Sequence, residues 1–203
     1  MIVPTLDFEI DLWNKGYLNI CGLDEVGRGC FAGPVVVGAV IFSRGVVLPD
    51  GIRDSKLLKP EKRKDLSKKI KESALDFAIS EVSVEVINKL GIGKATQIAF
   101  FNAVKNFKKD PDFLLIDAFY INNIDRKKQK PIIRGDGICM TIAAASIIAK
   151  VYRDELMEKL SIEYPEYGFT RNKGYGTKEH REAIKKYGLT KLHRTSFNLE
   201  KFL

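Results

Sequence analysis

The sequence predicts an α/β domain: a mixed five-stranded sheet flanked by helices, with a helical extension at the C-terminal end. Three observations carry that expectation. Five short apolar runs, each bounded by turn or charged residues, have the length of buried strands. Helical periodicity separates the later runs, which is the alternation expected of α/β proteins. The chain has 203 residues, 45% of them hydrophobic, enough for one substantial core. Residues 1–203 read as a single domain without repeat or linker, with about 160–203 as the extension packed on it.

The elements follow in order. Residues 17–23 (YLNICGL) and 35–42 (VVVGAVIF) read as strands, the second apolar at nearly every position as if covered on both faces. Gly33-Pro34 marks the turn between them. Pro60 opens a helix whose buried stripe is Leu66, Ile70 and Ala74; its basic run Lys62–Lys71 reads as a solvated face. A third strand covers 75–82. Helical text follows from Val84 to Phe107, broken at Gly91-Ile92-Gly93. Short buried strands at 113–116 and 131–133 end at Asp117 and at Arg134-Gly135-Asp136. A long helix then carries Ile138, Ile142, Ala145, Ala149, Tyr152 and Leu156 on one stripe, and its AAAS segment is small enough to lie close on a sheet. A last helix is expected near Lys178–Tyr187.

Composition narrows the function classes. Lys and Arg exceed Asp and Glu by 34 to 26, giving a net charge of +8 and a pI near 9.3, a balance that suits a polyanionic partner. Cys21, Cys30 and Cys139 form no C-x-x-C pair, which excludes a zinc ribbon or thioredoxin-like site and leaves them as buried small hydrophobes in a reducing compartment. The acidic N-terminus does not suit a signal peptide and no run has the length of a membrane span, so the expected location is the cytoplasm. Gly27-x-Gly29-x-x-x-Gly33 is followed by Pro34 and a strand rather than the helix a dinucleotide fingerprint needs. GIGKAT has Asn88 and Ala95 where a P-loop needs Gly and Ser or Thr.

The chemistry-bearing pattern is acid at three strand ends: Asp24 with Glu25, Asp117, and Asp136. In an open α/β sheet, ligands gather beyond the carboxyl ends of the strands. Such a cluster is unfavourable alone and is relieved by a cation. Oxygen ligands, with no paired cysteines and only two histidines in the chain, favour Mg²⁺ or Mn²⁺ over zinc. Two such ions about 3.5–4 Å apart serve phosphodiester hydrolysis. Taken singly, each acid could cap a turn or helix, and Asp136 suits an N-cap. Adjacent strand residues face opposite ways, so the first strand must end or bulge at Asp24, or Glu25 must reach round from beyond it.

The blocks GLDEVGRGCFAGPVVVGAV, DSKLL from Asp54, LLIDAF around Asp117, RGDG followed by TIAAASIIAKVYRDE, NKGYGTKEH and HRTSF stand in an order that resembles the bacterial type 2 ribonucleases H, the ribonuclease HII family. There is no long N-terminal extension of the kind found in the related ribonuclease HIII. The resemblance implies a ribonuclease H-like fold with extra C-terminal helices. It implies an endonuclease that cuts the RNA of RNA–DNA hybrids, and 5′ of single ribonucleotides embedded in duplex DNA, with two Mg²⁺ or Mn²⁺ ions. The products would be a 3′-hydroxyl and a 5′-phosphate.

By motif position the resemblance makes Asp24, Glu25, Asp117 and Asp136 the metal-binding, catalytic carboxylates. It lays Gly27, Arg28 and Gly29 against the ribonucleotide, where bare backbone reads the 2′-hydroxyl. It stacks Tyr175 on the next nucleotide and makes Lys56 and Lys173 phosphate contacts. Arg134 stands where lysine is common. Asp154 falls in a family block but reads as a structural ion pair with Arg153. The partners implied are hybrids and ribonucleotide-containing duplexes, bound by a monomer; SFNLEKFL at the end is similar to a sliding-clamp-binding peptide, or is simply a helix end. A silent binding protein on this fold would lack an acid, and none of the four is missing. A junction resolvase would not need Gly27–Gly29 or Tyr175.

Overall fold

A computed structural model describes residues 3–203. Helix α1 (Asp7–Asn14) precedes strands β1 (Ile20–Val26) and β2 (Val35–Ile41). Then come α2 (Pro60–Ser73), β3 (Asp76–Val82), α3 (Val84–Leu90), α4 (Ile92–Lys105), β4 (Phe113–Asp117) and β5 (Gln129–Ile132). The chain closes with α5 (Met140–Glu163), the single turn α6 (Phe169–Asn172), α7 (Lys178–Tyr187) and 3₁₀ turns at Thr195–Phe197 and Leu199–Phe202.

The sheet order is β3-β2-β1-β4-β5. β1, β2 and β3 are antiparallel, whereas β4 and β5 run parallel to β1, so the mixed five-stranded sheet is as expected. Helix α4 covers one face with Ala95, Ala99, Phe100 and Ala103, against Leu23, Val37 and Ile116. Helix α5 covers the other. It lies so close that a Cβ on Gly22 would stand 2.2 Å from Thr141 C, and one on Gly38 2.3 Å from Ala145 O. Small residues on both sides of the contact make that approach possible. Gly91, at φ 79°, is the left-handed residue that ends α3 and starts α4.

Several expectations shift. β1 begins and ends three residues later than read, so Asp24 and Glu25 lie inside it rather than after it. Pro131 is tolerated within β5 because β5 is an edge strand. The buried stripe of α5 runs from Ile142 through Ala145 and Ala149 but continues as Arg153 and Met157, not Tyr152 and Leu156. Helix α1 was not foreseen; its Glu9 is fully buried and accepts hydrogen bonds from the N–H and hydroxyl of Thr141 in the first turn of α5.

The extension packs Tyr167, Phe169 and Ile184 against Ala32 and Met157 of α5 in a small separate core. The terminal residues fold back on it, with Leu199 buried and Phe202 5.5 Å from Phe31. All three cysteines are free and buried. No helix among the described residues is long and apolar enough to cross a membrane.

Candidate active site

The site opens where two strands part. Pairing of β1 with β4 ends at Leu23↔Ile116, while pairing of β1 with β2 continues to Val26↔Val36. Asp24 and Asp117 are the next residues on two parallel neighbours, so they stand side by side at the mouth of that gap. Past β5 the chain turns at Arg134, in the left-handed region at φ 56°, into a 3₁₀ turn at Gly135–Gly137. The Gly135 N–H donates to Asp117 Oδ1 at 2.7 Å, which ties this turn to β4. Asp136 therefore sits beside the strand ends. It is not the N-cap of α5: Cys139 holds that position, three residues on, and its side chain makes no cap hydrogen bond among the described residues.

Strand β1 neither ends nor bulges at the acid pair; its register with β2 is regular through Val26. Glu25 does not reach round from beyond the strand either, since it lies within β1 opposite Val37. Asp24 faces α5, as Gly22 does, and meets Ser146 there. Glu25 lies on the other face, with Oε1 3.8 Å from Arg28 Nη1. The Arg28 guanidinium in turn lies 4.5 Å over the Phe119 ring. Because β4 has ended by then, both acids border one cleft of about 230 Å³.

Electrostatics mark the cleft as strained. Burial, reinforced by the Glu25 charge, pushes the Asp24 carboxyl well above the usual range, and the Asp117 and Asp136 charges add to the rise. Burial pushes Glu25 up to about 7, against the pull of Arg28. Asp117 is raised chiefly by burial, with the Gly135 N–H pulling it back. For Lys56, burial works against the ammonium, but its hydrogen bond to Asp136 and the surrounding acids more than offset this, so its pKa rises. Perturbation of several neighbouring acids by burial and by one another is characteristic of functional sites.

Asp24, Glu25, Gly27, Arg28, Gly29, Lys56, Asp117 and Tyr175 border this cleft together, and Asp136 joins them through Lys56 Nζ at 3.1 Å. Lys173 does not. Its amine is 2.6 Å from Glu158 Oε1, in a neighbouring cleft of about 500 Å³ that shares only Lys150 with this one. Asp154 makes ion pairs, but with Lys150 at 2.6 Å and Arg63 at 3.4 Å rather than with Arg153. Consecutive helix residues diverge, so the sequence neighbour was the wrong partner, whereas Lys150 is the i−4 neighbour. Sequence reasoning missed Ser55, Ser146, Lys150 and Phe119. Ser146 was the one polar residue in the small stripe of α5, and Lys150 follows it by one turn; those spacings were the available signal.

Among the described residues, no three His, Cys, Asp or Glu side chains form a ready-made cage for one ion. The acids are turned to internal donors instead: Asp24 to the Glu25 N–H, Asp117 to Gly135, Asp136 to Lys56. The donor set nevertheless fits a hard divalent cation. It is all oxygen, burial and mutual repulsion raise three of its acids despite Lys56 and Arg28, and Glu25 Oε2 is buried with no hydrogen-bond partner among the described residues.

Comparison with known proteins bears on family and fold. The model of the ribonuclease HII family matches residues 21–200. The ribonuclease HII of Clostridioides difficile (strain 630) is 50% identical over 190 residues, spanning 94% of this chain and 74% of that protein. The ribonuclease H2 of Pyrococcus horikoshii OT3 superposes with a TM-score of 0.74 at 25% identity, over 91% of this chain and 99% of that one. Bst-RNase HIII, solved in complex with Mn²⁺, shares the fold at a TM-score of 0.69 and 24% identity, over 92% of this chain and 69% of that one.

Proposed function

The chain belongs to the ribonuclease HII family and is a ribonuclease H, and from that premise we propose that it cuts 5′ of single ribonucleotides embedded in duplex DNA as well as the RNA strand of RNA–DNA hybrids. One observation carries the finer reading. Carboxylates from β1 and β4 border the cleft that is also bordered by Gly27, Gly29 and Tyr175, and Asp136 of the Gly135–Gly137 turn meets it through Lys56. Cutting groups and sugar-reading groups thus share one wall. We take residues 1–203 as one catalytic domain, with about 160–203 as the extension that supplies Tyr175.

The family depends on divalent metal, and Asp24, Glu25, Asp117 and Asp136 would hold Mg²⁺ or Mn²⁺ here, as two ions. When bound, the ions would lower the pKa of a water so that its hydroxide form can attack phosphorus, and would offer counter-charge to the departing 3′-oxygen. The protein's own residues do the rest. Gly135 fixes the rotamer of Asp117. Phe119 and Glu25 hold the Arg28 fork at the rim, where it can grip a sugar or phosphate. Tyr175, about two-fifths exposed, offers a ring on which the next sugar can rest. Lys56 supplies an ammonium for a backbone phosphate. The 2′-hydroxyl is read rather than used as a nucleophile, so the products are a 3′-hydroxyl and a 5′-phosphate.

The test is product mapping on a DNA duplex holding one ribonucleotide, with and without Mn²⁺ or Mg²⁺. Asp117→Asn and Asp136→Asn should bind that duplex like the parent and leave it uncut. Wild-type cleavage by either variant would remove the assignment.

A further inference from the structure

Arg153 and Arg194 are both fully buried, and among the described residues all six of their side-chain hydrogen bonds go to main-chain carbonyls. Burial pulls Arg194 down to about 10. Two buried guanidinium groups side by side are costly unless their fixed donors meet well-placed acceptors. What they hold is therefore informative.

Arg194 donates through Nη1 to the Arg28 carbonyl at 2.9 Å, and through Nε and Nη2 to the Gly33 carbonyl at 3.0 and 2.8 Å. Arg153 donates to the carbonyls of Pro34 at 3.0 Å, Ala32 at 3.0 Å and Lys173 at 2.8 Å. One pair of side chains from α5 and the C-terminal segment thus grips both ends of the loop 27–34 and the turn that carries Tyr175. Main-chain bonds complete the link, with the N–H groups of Phe31 and Ala32 donating to the Gly174 carbonyl at 2.8 and 3.2 Å.

The consequence for the cleft follows from peptide geometry. In a trans peptide the C=O and the following N–H point in opposite directions. No cis peptide occurs among the described residues. Since the Arg28 carbonyl is pulled inward onto Arg194, the Gly29 N–H is turned outward. Gly29 is exposed, borders the cleft, and its N–H has no main-chain acceptor among the described residues. A donor left free in that place suits a sugar hydroxyl.

We propose that Arg194, supported by Arg153, is a positioning residue for substrate selection: it fixes the Arg28–Gly29 peptide with its N–H toward the cleft and sets the span from that peptide to Tyr175. The inference rests on the reading of Gly27–Gly29 as the ribonucleotide sensor. It assigns to these arginines where the enzyme cuts, not the metal chemistry of cutting.

The experiment compares wild type, Arg194→Gln and Arg194→Lys on two duplexes, one with a single embedded ribonucleotide and one with a long RNA tract. It reads kcat and KM separately, cut positions, Mn²⁺ affinity by calorimetry, and thermal unfolding. For Arg194→Gln the preference for the single ribonucleotide should fall by about 10- to 100-fold, the scale set by small misplacements of a binding group. The loss should appear mainly in KM, with unchanged Mn²⁺ affinity, and Arg194→Lys should recover part of it. Equal losses on both duplexes, weakened Mn²⁺ binding, or failure of both variants to fold would make the role merely structural and overturn the proposal. A wild-type enzyme that ignores the embedded ribonucleotide would instead remove the underlying sensor reading.

Discussion

Lys56 Nζ stands 3.1 Å from Asp136 Oδ2, an ammonium resting on a carboxylate assigned to metal. The lysine side chain is largely exposed while the acid is nearly enclosed. An ion pair of that kind contributes about 0–1 kcal/mol, so a divalent ion should displace it readily. Lys56→Met should leave Mn²⁺ affinity unchanged or raise it by up to about 5-fold. KM for duplex should rise, and the salt dependence of binding should lose about one unit of slope, as for one phosphate contact. Calorimetric metal titration and binding at several salt concentrations check both. A fall in Mn²⁺ affinity would mean that the lysine supports the metal site instead.

Gly27 and Gly29 flank the same arginine but are glycine for different reasons. Gly27 has φ 91°, and an added Cβ would stand 2.1 Å from Arg153 Nε. Gly27→Ala should cost about 2–3 kcal/mol of stability through backbone strain and collision with a buried group. Gly29 has ordinary φ and, among the described residues, nothing within 4 Å of an added Cβ, so Gly29→Ala should change stability by no more than about 0.5 kcal/mol. Folding therefore gives no reason for glycine at 29. If a ribose approaches that backbone, Gly29→Ala should still raise KM on an embedded ribonucleotide. Thermal melts beside steady-state kinetics separate the two effects.

How much of this was legible beforehand differs by residue. The acids could be found because an apolar run that stops at an acid is conspicuous, and three such runs in one chain are hard to explain by capping alone. Their geometry could not. The gap at Asp24 exists because β1 loses β4 three residues before it loses β2, and no single strand encodes which neighbour departs first. Arg153 and Arg194 were hidden for another reason. In a sequence an arginine reads as solvated, and only tertiary carbonyls brought from residues 28–34 and 173 make its burial tolerable. Phe119 drew no reading of its own, because its place under the Arg28 guanidinium depends on a turn about ninety positions away in the chain.

His180 and His193 set a pH limit on stability. His180 Nδ1 lies 2.9 Å from the Tyr175 carbonyl, so it must donate, which leaves its Nε2 as the acceptor 3.1 Å from His193 Nε2–H. His193 Nδ1 then accepts from the Thr190 N–H at 2.9 Å. Both rings are neutral in this network, and a proton added to either would face a donor. Burial accordingly pushes both pKa values down, His193 to about 4 from an ordinary 6.5. The unfolded chain protonates first as pH falls. The stability tied to neutral rings is therefore complete above about 6.5, declines below it, and is lost as pH falls through about 4. Denaturant unfolding across this range should show that decline, and His193→Gln should flatten it. An unchanged slope in the variant would assign acid lability to other groups.

Asp154 offers the sharpest contrast with the four assigned carboxylates, because it is an acid that is nearly enclosed beside the active cleft. It accepts from Lys150 Nζ at 2.6 Å and Arg63 Nη2 at 3.4 Å, and those two cations come from different helices, α5 and α2. Asp154→Asn would leave both cations facing a neutral amide. Breaking one side of a buried pair costs about 3–5 kcal/mol, and some residual solvent access here places the expected loss at about 2 kcal/mol. Because Lys150 also borders the active cleft, its release should alter kcat, but by less than about 10-fold, and Mn²⁺ affinity should not move. A metal ligand would behave oppositely, with a collapse of kcat and weakened Mn²⁺ binding in a protein of nearly normal stability. Melting temperature, kcat and metal calorimetry on the one variant therefore decide whether Asp154 holds the helices or the ions.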